Sequence, residues 1–310
     1  MHMKNIRNDQ KEIILLPLAI LAISTASIFI RYAQETLPSL TIAAYRLAFA
    51  SVFMLPFSLQ VTFRALRESN VKELWLLFFS GLLLAMHFAA WIVSLSLTKV
   101  INSVVLVTTT PIWVALLSPL LTKDRIPKKF WFGLVTAFIG MLVVSGIGRG
   151  NDGYGMTAEA QKVFIGNSLA LIGAFCAAGY VLIGRILRDK ISNQAYTFSV
   201  YSVAAIVLVG FAAVSAPGSL RIDPAGLKWV ILLALIPQIA GHSLINWFLG
   251  FRPAHEVSLA LLGEPIGSTL LAIIFLGEMP APLDIIGALI ILAGILIAQS
   301  KSSRSTETEN

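Results

Sequence analysis

The sequence predicts an all-α integral membrane protein with ten transmembrane helices, arranged as two inverted repeats of five helices each. Of its 310 residues, 57% are hydrophobic and only 13% are charged, whereas an ordinary soluble domain has roughly 25% charged residues. The mean hydropathy is +0.83. One globular core cannot remove this much apolar surface from water. The long runs of Leu, Ile, Ala and Gly also lack the short alternating segments of a membrane β-barrel.

Ten apolar runs, each near the roughly 20 residues that cross a bilayer as a helix, define the predicted elements in order. The first run follows a tail of mixed charge and has no small-residue cleavage site at its end, which favours a retained helix over a signal peptide. Prolines such as Pro38, Pro127 and Pro217 mark turns between runs. The runs lie at residues 13–33, 40–63, 74–97, 101–122, 130–148, 164–184, 196–216, 227–250, 255–276 and 283–299.

The basic residues indicate how these helices are oriented. Lys and Arg accumulate in the cytoplasmic loops of membrane proteins. If the N-terminus lies inside, 16 of the 23 Lys and Arg residues fall on the cytoplasmic side and 6 on the other, with Arg46 inside the second run. We therefore expect a multi-pass protein of the bacterial inner (plasma) membrane with both termini in the cytoplasm. The net charge of +7 is then explained by topology, and no nucleic-acid partner is expected.

The second half of the sequence repeats the first at a constant shift of 154 residues. Pairs matched at this shift are Pro111 with Pro265, Gly133 with Gly287, Gly140 with Gly294, Asp124 with Glu278, and Arg31 with Arg185. Because each copy has an odd number of helices, the second copy must cross the membrane in the opposite sense. Inverted repeats of this kind are typical of secondary transporters, which bind substrate near the membrane midplane where the halves meet.

The repeat divides the chain into five segments. We predict a cytoplasmic N-terminal tail at residues 1–12, a first repeat at 13–148, a periplasmic linker at 149–163, a second repeat at 164–299 and a disordered cytoplasmic tail at 300–310. The linker is the longest polar connection, and the last segment is polar throughout.

Two matching stretches carry a resemblance to a known family. The second half reads Glu264-Pro265-Ile266-Gly267 and continues to Leu276-Gly277-Glu278, and the first half has a degenerate version from Thr110-Pro111-Ile112-Trp113 to Lys123-Asp124-Arg125. Over residues 13–299 the chain resembles the drug/metabolite transporter superfamily, specifically its EamA-type family with two EamA repeats. The resemblance implies transport of small metabolites, more commonly export than import. It also implies a peripheral pair formed by the fifth and tenth helices, which could be a homodimer face.

Two prolines fall within predicted membrane helices. Pro111 and Pro265 each remove a backbone donor and free a carbonyl one turn earlier, near Val107 and Leu261. In a membrane such a carbonyl must find another donor or face water. We interpret both prolines as helix kinks that shape or hinge a central cavity, with a static packing kink as the alternative.

Two charged residues are candidates for coupling or for binding substrate charge. Glu264 lies inside the ninth run, where a carboxyl group is costly and usually faces a cavity. It could exchange a proton, bind a cationic substrate group, or serve as a structural acid hydrogen-bonded across helices. Arg46 could bind a substrate carboxylate or an acid such as Glu264, or it could extend to the membrane interface.

Polar and aromatic side chains at helical spacing predict a substrate site. Gln238, His242 and Asn246 recur every four residues in the eighth run, which places them on one face. The third run has His87, Trp91 and Ser94 at similar spacing, and Tyr180 and Trp113 could stack on a ligand. The alternative is hydrogen bonding between neighbouring helices. The candidate substrate-binding residues are His87, Trp91, Tyr180, Gln238, His242 and Asn246.

These features together predict a secondary transporter that moves small metabolites or amino-acid-like solutes by alternating access, more often outward than inward. The sequence has no ATP-binding loop, so a substrate or ion gradient would supply the energy, and the proton is the candidate coupling ion. The expected partners are a small-molecule substrate, the lipid bilayer and a second copy of the chain in a homodimer.

The alternative is an intramembrane enzyme, or a membrane scaffold or sensor without transport activity. His255-Glu256 begins like a zinc-protease helix, but Leu259 stands where the second zinc ligand would be. The single Cys176 excludes a multi-cysteine metal site. We expect no catalytic residue, no metal and no cofactor.

Overall fold

The computed structural model describes residues 14–122, 128–145, 157–215, 218–221, 223–252, 254, 257–258, 261 and 263–299, and within these ranges the chain is helical without any strand. We number the helices α1 to α10 to match the predicted runs. They are α1 Ile14–Ala33, α2 Ser39–Glu68, α3 Val71–Leu97, α4 Val100–Val107 with Thr110–Thr122, α5 Lys128–Ser145, α6 Ala158–Leu187, α7 Asn193–Ser215, α8 Pro224–Phe248, α9 Gly263–Leu276 and α10 Pro282–Gln299.

Seven of these helices, α1 to α4 and α6 to α8, are long and apolar enough to cross a membrane. Shorter apolar helices lie where the fifth, ninth and tenth crossings are predicted, at Trp131–Gly140, Gly263–Leu276 and Pro282–Ile297. The described ranges therefore support a multi-pass, all-helical membrane protein. The count of ten crossings and the inverted arrangement stay predictions.

Helix α6 begins earlier than its apolar run predicts. The side chain of Thr157 accepts a hydrogen bond from the Ala160 amide, which caps the helix, and Glu159 lies in the first turn. A carboxylate there is favourable because the helix N-terminus carries partial positive charge. Helical structure thus starts at Ala158, inside the predicted linker at 149–163. The tails at 1–12 and 300–310 lie outside the described residues.

The internal repeat is visible in the bounds of the helices. Helices α2 and α7 begin at residues 39 and 193, and α4 and α9 end at residues 122 and 276. Helices α5 and α10 match at both ends, at 128 and 282 and at 145 and 299. Every pair differs by 154 residues, so the sequence repeat is also a repeat of secondary structure.

The main helix contacts join the two repeats. Helix α3 packs along α6, and α2 packs along α7. Helices α5 and α10 also pack along each other, at a distance that only glycine permits. A Cβ on Gly140 would lie 2.7 Å from the Ile291 amide nitrogen, and one on Gly294 would lie 2.6 Å from the Gly133 carbonyl oxygen. The glycine spacing is therefore a packing seam between the fifth and tenth helices.

Pro111 and Pro265 do not lie in helix interiors, which corrects the prediction of a kink in a continuous helix. Helix α4 breaks at residues 108–109, and Pro111 is the second residue of its second segment. Pro265 is the third residue of α9. The missing proline N–H costs little in a first turn, because that group has no partner within the helix. The chain thus uses these prolines to start helical segments.

Candidate functional site

A cavity lies between the two repeats, and both repeats build its wall. The first repeat contributes residues of α3 and α4, and the second contributes residues of α6, α8 and α9. The lining residues are Leu84, His87, Trp91, Val107, Thr108, Thr110, Pro111, Ala177, Tyr180, Val181, His242, Ile245, Asn246, Leu261 and Glu264. The lining is mostly apolar with a few placed polar groups, which is typical of small-molecule sites.

The break in α4 forms one side of the cavity. The carbonyl of Val107, which the sequence predicts to be freed, accepts a hydrogen bond from the Thr110 hydroxyl at 2.8 Å. In the second repeat the carbonyl of Leu261 accepts from the Glu264 amide at 2.9 Å. Irregular backbone at membrane depth is tolerated where it lines a cavity. Pro111 thus lines the cavity beside the break in α4, whereas Pro265 is not part of the lining, and neither proline kinks an intact helix.

Glu264 is a buried acid of the cavity wall, with 7% of its surface exposed. Its carboxylate has no hydrogen-bond partner within the described ranges, and Arg46 is the charged group that interacts with it electrostatically. Its place in the first turn of α9 offsets part of the cost of a negative charge, because the helix N-terminus attracts anions. This carboxylate is thus free to bind a proton or a ligand group.

His87 and Trp91 lie one turn apart on α3 and face the cavity together. The Nδ1 of His87 is 2.9 Å from the carbonyl oxygen of Gly173 on α6. A neutral ring that donates this bond leaves Nε2 as an acceptor. The two rings are nearly parallel, with centroids 6.1 Å apart. The Nε1 donor of Trp91 is buried without a partner in the described chain, so it can serve a bound solute.

Tyr180, His242 and Asn246 form the opposite polar wall. The Asn246 side-chain amide donates to the Tyr180 hydroxyl and, at 2.9 Å, to the backbone oxygen of His242. The bond to Tyr180 joins α8 to α6, and the bond to His242 lies within α8. The Nε2 of His242 and the Oδ1 of Asn246 are buried and have no partner among the residues that the structure describes. Unpaired buried polar atoms are costly, so this wall is suited to hydrogen-bond a ligand.

Gln238 does not line the cavity, which corrects the prediction that it shares a face with His242 and Asn246. Residues Ala234–His242 form a π-helix around Pro237, and a wider turn means that four-residue spacing no longer keeps side chains on one face. The Oε1 of Gln238 accepts a 2.7 Å hydrogen bond from Arg46 Nε. Gln238 is therefore the hydrogen-bond partner of Arg46 behind the cavity wall.

Arg46 is fully buried, so the interpretation that it extends to the membrane interface is wrong. Its Cζ lies 4.0 Å from the centroid of the Phe88 ring, and Phe88 packs edge-on against His242 at 5.6 Å. The guanidinium is thus one side-chain layer behind the cavity wall. Its Nη1 and Nη2 atoms are buried without partners in the described part of the chain.

The remaining sequence candidates lie elsewhere. Trp113 packs edge-on against Phe175 and does not line the cavity, and the Ser94 hydroxyl bonds Ser103 at 2.7 Å. Thr108 and Thr110 line the cavity although neither is a sequence candidate; the threonine run before Pro111 was the signal that could have identified them.

No group of three or more metal-ligating side chains occurs among the described residues. His255-Glu256 lies outside them.

Comparisons with known proteins agree with this architecture. The model of the EamA-like transporter family matches residues 10–146 and 164–299. An uncharacterized transporter of Archaeoglobus fulgidus is 23% identical over 94% of this chain and 99% of its own. The uncharacterized transporter YdfC of Bacillus subtilis is 24% identical over 85% and 82%. One solved crystal structure matches with a TM-score of 0.63 and 17% identity over 92% of this chain and 95% of its own, which shows the fold alone.

The family match covers both repeats and most of the chain, and the family and these relatives are transporters, not enzymes. The chain therefore belongs to the EamA-like transporter family.

Proposed function

We propose that the protein is a secondary transporter that exports small metabolites or amino-acid-like solutes across the bacterial inner membrane by alternating access. The observation that carries the proposal is the central cavity, whose wall comes from both repeats. A rigid-body movement of one repeat against the other would open such a cavity to one side and close it to the other.

The chemistry of the cavity favours a small solute that combines apolar and polar groups. Leu84, Val181 and Ile245 offer apolar surface, and the Trp91 and Tyr180 rings offer flat faces. Hydrogen-bonding capacity comes from the unpaired Trp91 Nε1, His242 Nε2 and Asn246 Oδ1 atoms. Glu264 contributes the carboxylate of the lining.

The proposal gives Glu264 one of two alternative roles, and the substrate decides which applies. Glu264 exchanges a proton during the transport cycle, or it binds a cationic group of the solute directly. Both use the same property, a buried carboxylate without a hydrogen-bond partner in the described ranges. Proton coupling predicts that a pH gradient drives uptake or release, whereas direct binding predicts competition among cationic solutes.

Counterflow in proteoliposomes tests the function. Vesicles loaded with an unlabelled solute receive a trace of the same solute in labelled form. The solutes tested are amino acids, nucleobase-type compounds and S-adenosylmethionine-like cations. Each is measured with and without a pH gradient. We expect one chemical class to accumulate transiently above the level of protein-free vesicles. A failure of every solute to exchange would contradict the proposal.

A further inference from the structure

One end of the helix bundle is held by an arginine that bonds both repeats. Arg31, near the end of α1, forms an ion pair from Nη2 to Glu278 Oε1 at 2.6 Å, while its Nη1 donates to the Leu95 carbonyl at 2.8 Å. The other oxygen of Glu278 accepts from the Val100 amide at 2.9 Å. Arg31, Leu95 and Val100 belong to the first repeat and Glu278 to the second, so one carboxylate joins the repeats.

The same end carries further contacts between the repeats. The Nζ of Lys99 donates to the Met279 carbonyl at 3.1 Å, and the Tyr32 hydroxyl donates to the Phe275 carbonyl at 2.8 Å. The segment that follows α9 is therefore attached to the first repeat at several points. Glu278 makes the shortest of these contacts, with full charge on both partners. A longer ion pair at this end joins Lys99 Nζ to Asp284 Oδ2 at 3.8 Å.

The residues bonded at this end continue directly into the cavity wall. Leu95 lies one turn beyond Trp91 on α3, Val100 starts the α4 segment that ends at Val107, and Glu278 follows the α9 helix that begins near Glu264. Separating Glu278 from Arg31 and Val100 would let α9 move away from α3 and α4 at this end of the cavity.

The repeat shows which part of the arrangement is shared by both ends. At a shift of 154 residues, Arg185 Nη1 donates to the Leu249 carbonyl at 3.0 Å, as Arg31 does to Leu95. The ion pair of Arg185 is with Asp189, one turn later on the same helix, at 3.8 Å. Each repeat thus has an arginine at the end of its first helix that bonds a carbonyl at the end of its third helix. At the Arg31 end the arginine itself forms the ion pair to the other repeat, whereas at the opposite end the ion pair between the repeats joins Lys190 to Glu73 at 2.5 Å.

We propose that Arg31, Glu278 and the Val100 amide form a latch that closes the cavity at the Arg31 end and must break when the cavity opens to that side. This inference rests on the proposed alternating access. The latch joins the segment after α9 to the ends of α1 and α4, from which that segment would have to separate. Its charged pair is partly shielded from water, with side-chain exposures of 33% and 16%. Removing one charge should shift the resting population toward the state open at this end.

Cysteine accessibility tests the latch without any knowledge of the substrate. In a Cys176→Ala background, which removes the single native thiol, Val181→Cys places a reporter in the cavity wall. Right-side-out and inside-out membrane vesicles receive a membrane-impermeant thiol reagent. The variant Glu35→Cys, on the exposed turn after α1, identifies the vesicle type in which the Arg31 end faces the reagent.

We expect Glu278→Gln to raise the labelling rate of the reporter from the Arg31 end about tenfold, the population shift that follows from losing one charge-assisted hydrogen bond. Arg31→Gln should do the same. The double variant should exceed neither, because the two residues act through one contact.

Glu73→Gln is the matched control. Glu73 on α3 also pairs with the other repeat, through a 2.5 Å contact to Lys190 near the end of α6, but it lies at the opposite end of α3 from Leu95. This variant should not raise labelling from the Arg31 end, because the contact that it breaks lies at the opposite end. Equal increases in Glu73→Gln and Glu278→Gln would overturn the latch, because they would indicate general loosening.

Graded variants keep the test valid if Glu278→Gln does not fold, as judged by size-exclusion chromatography. Glu278→Asp and Arg31→Lys retain the charges with poorer geometry and should give smaller increases from the same end. Wild-type rates in folded Glu278 and Arg31 variants would overturn the latch. Absence of counterflow together with the expected labelling would instead contradict the proposed function and leave the latch supported.

Discussion

At the scale of single residues, the site depends on buried polar groups whose partners are incomplete. The carboxylate of Glu264 faces the cavity without a hydrogen bond from the described residues. Arg46 lies behind the cavity wall, where its Nε donates a 2.7 Å hydrogen bond to Gln238 Oε1. Charged groups in a low-dielectric interior are costly unless they are paired. We therefore expect substitution of Glu264 to change transport, and substitution of Arg46 to change the free energy of unfolding.

Glu264→Gln should abolish the response of counterflow to a pH gradient if the carboxyl group carries the proton. The amide keeps the shape of the protonated acid and can still donate and accept hydrogen bonds, but it does not ionise. The measurement is the counterflow rate at two pH gradients. Glu159→Gln, which changes an acid that is 81% exposed on the first turn of α6, is the matched control and should transport like the wild type. An unchanged pH response in Glu264→Gln would exclude the proton role.

Gln238→Leu should destabilise the protein by about 1–3 kcal/mol, the usual cost of leaving a buried partner of a hydrogen bond unsatisfied. The Nε of Arg46 would lose its acceptor. Thermal unfolding in detergent measures the effect. The double variant Arg46→Met with Gln238→Leu should recover part of the loss, because a buried charge and its partner are removed together. A double variant less stable than the sum of the two single changes would contradict this account.

At the scale of elements, interruptions of helical regularity position the site. The break in α4 brings Thr108, Thr110 and Pro111 to the cavity, and the π-helix in α8 separates Gln238 from the face of His242. In contrast, α5 and α10 are regular and approach closely at their glycines. The interrupted helices α4 and α8 thus build the cavity together with the regular helices α3 and α6, whereas α5 and α10 contribute no described residue to its lining.

Gly140→Ala should destabilise the protein by about 1–3 kcal/mol, the usual cost of overpacking. Its new Cβ would lie 2.7 Å from a backbone nitrogen of α10, which cannot rotate away. The matched control is Gly210→Ala in α7, where a Cβ would meet nothing within 4 Å, and where alanine should be neutral or stabilising. Thermal unfolding of both variants measures the difference. Equal midpoints would show that the seam does not constrain stability.

The sequence predicted more of the elements than of their interruptions. Apolar runs and the 154-residue repeat located the helices because burial in lipid imposes length and hydrophobicity on every crossing. The prolines at 111 and 265 indicated irregular backbone, but whether a proline kinks a helix or starts one depends on tertiary contacts. The prediction that Gln238 shares a helix face with His242 was wrong because it assumed a regular α-helix. A π-helix leaves no signal in a single sequence that is comparable to apolar periodicity. His87, Trp91, Tyr180, His242, Asn246 and Glu264 were predicted as site residues and do meet at one cavity.

At the scale of the whole molecule, the charge distribution predicts both termini in the cytoplasm. The test is a pair of C-terminal fusions, one to a fluorescent protein that matures in the cytoplasm and one to a phosphatase that is active only outside it. We expect fluorescence without phosphatase activity, because 16 of 23 basic residues would then lie inside. A phosphatase fusion placed in the linker, after residue 150, should be active. An active phosphatase at the C-terminus would show an error in the number of crossings.

The pairing of helices across the repeats also governs the order in which the chain can assemble. Ser80 of α3 is buried, and its hydroxyl bonds the Tyr196 hydroxyl of α7 at 2.7 Å, while α3 itself lies along α6. When the ribosome has synthesised only the first repeat, neither Tyr196 nor helix α6 is yet present. The Ser80 hydroxyl gains its Tyr196 partner, and the packing of the first half is completed, only as the second half is inserted beside it.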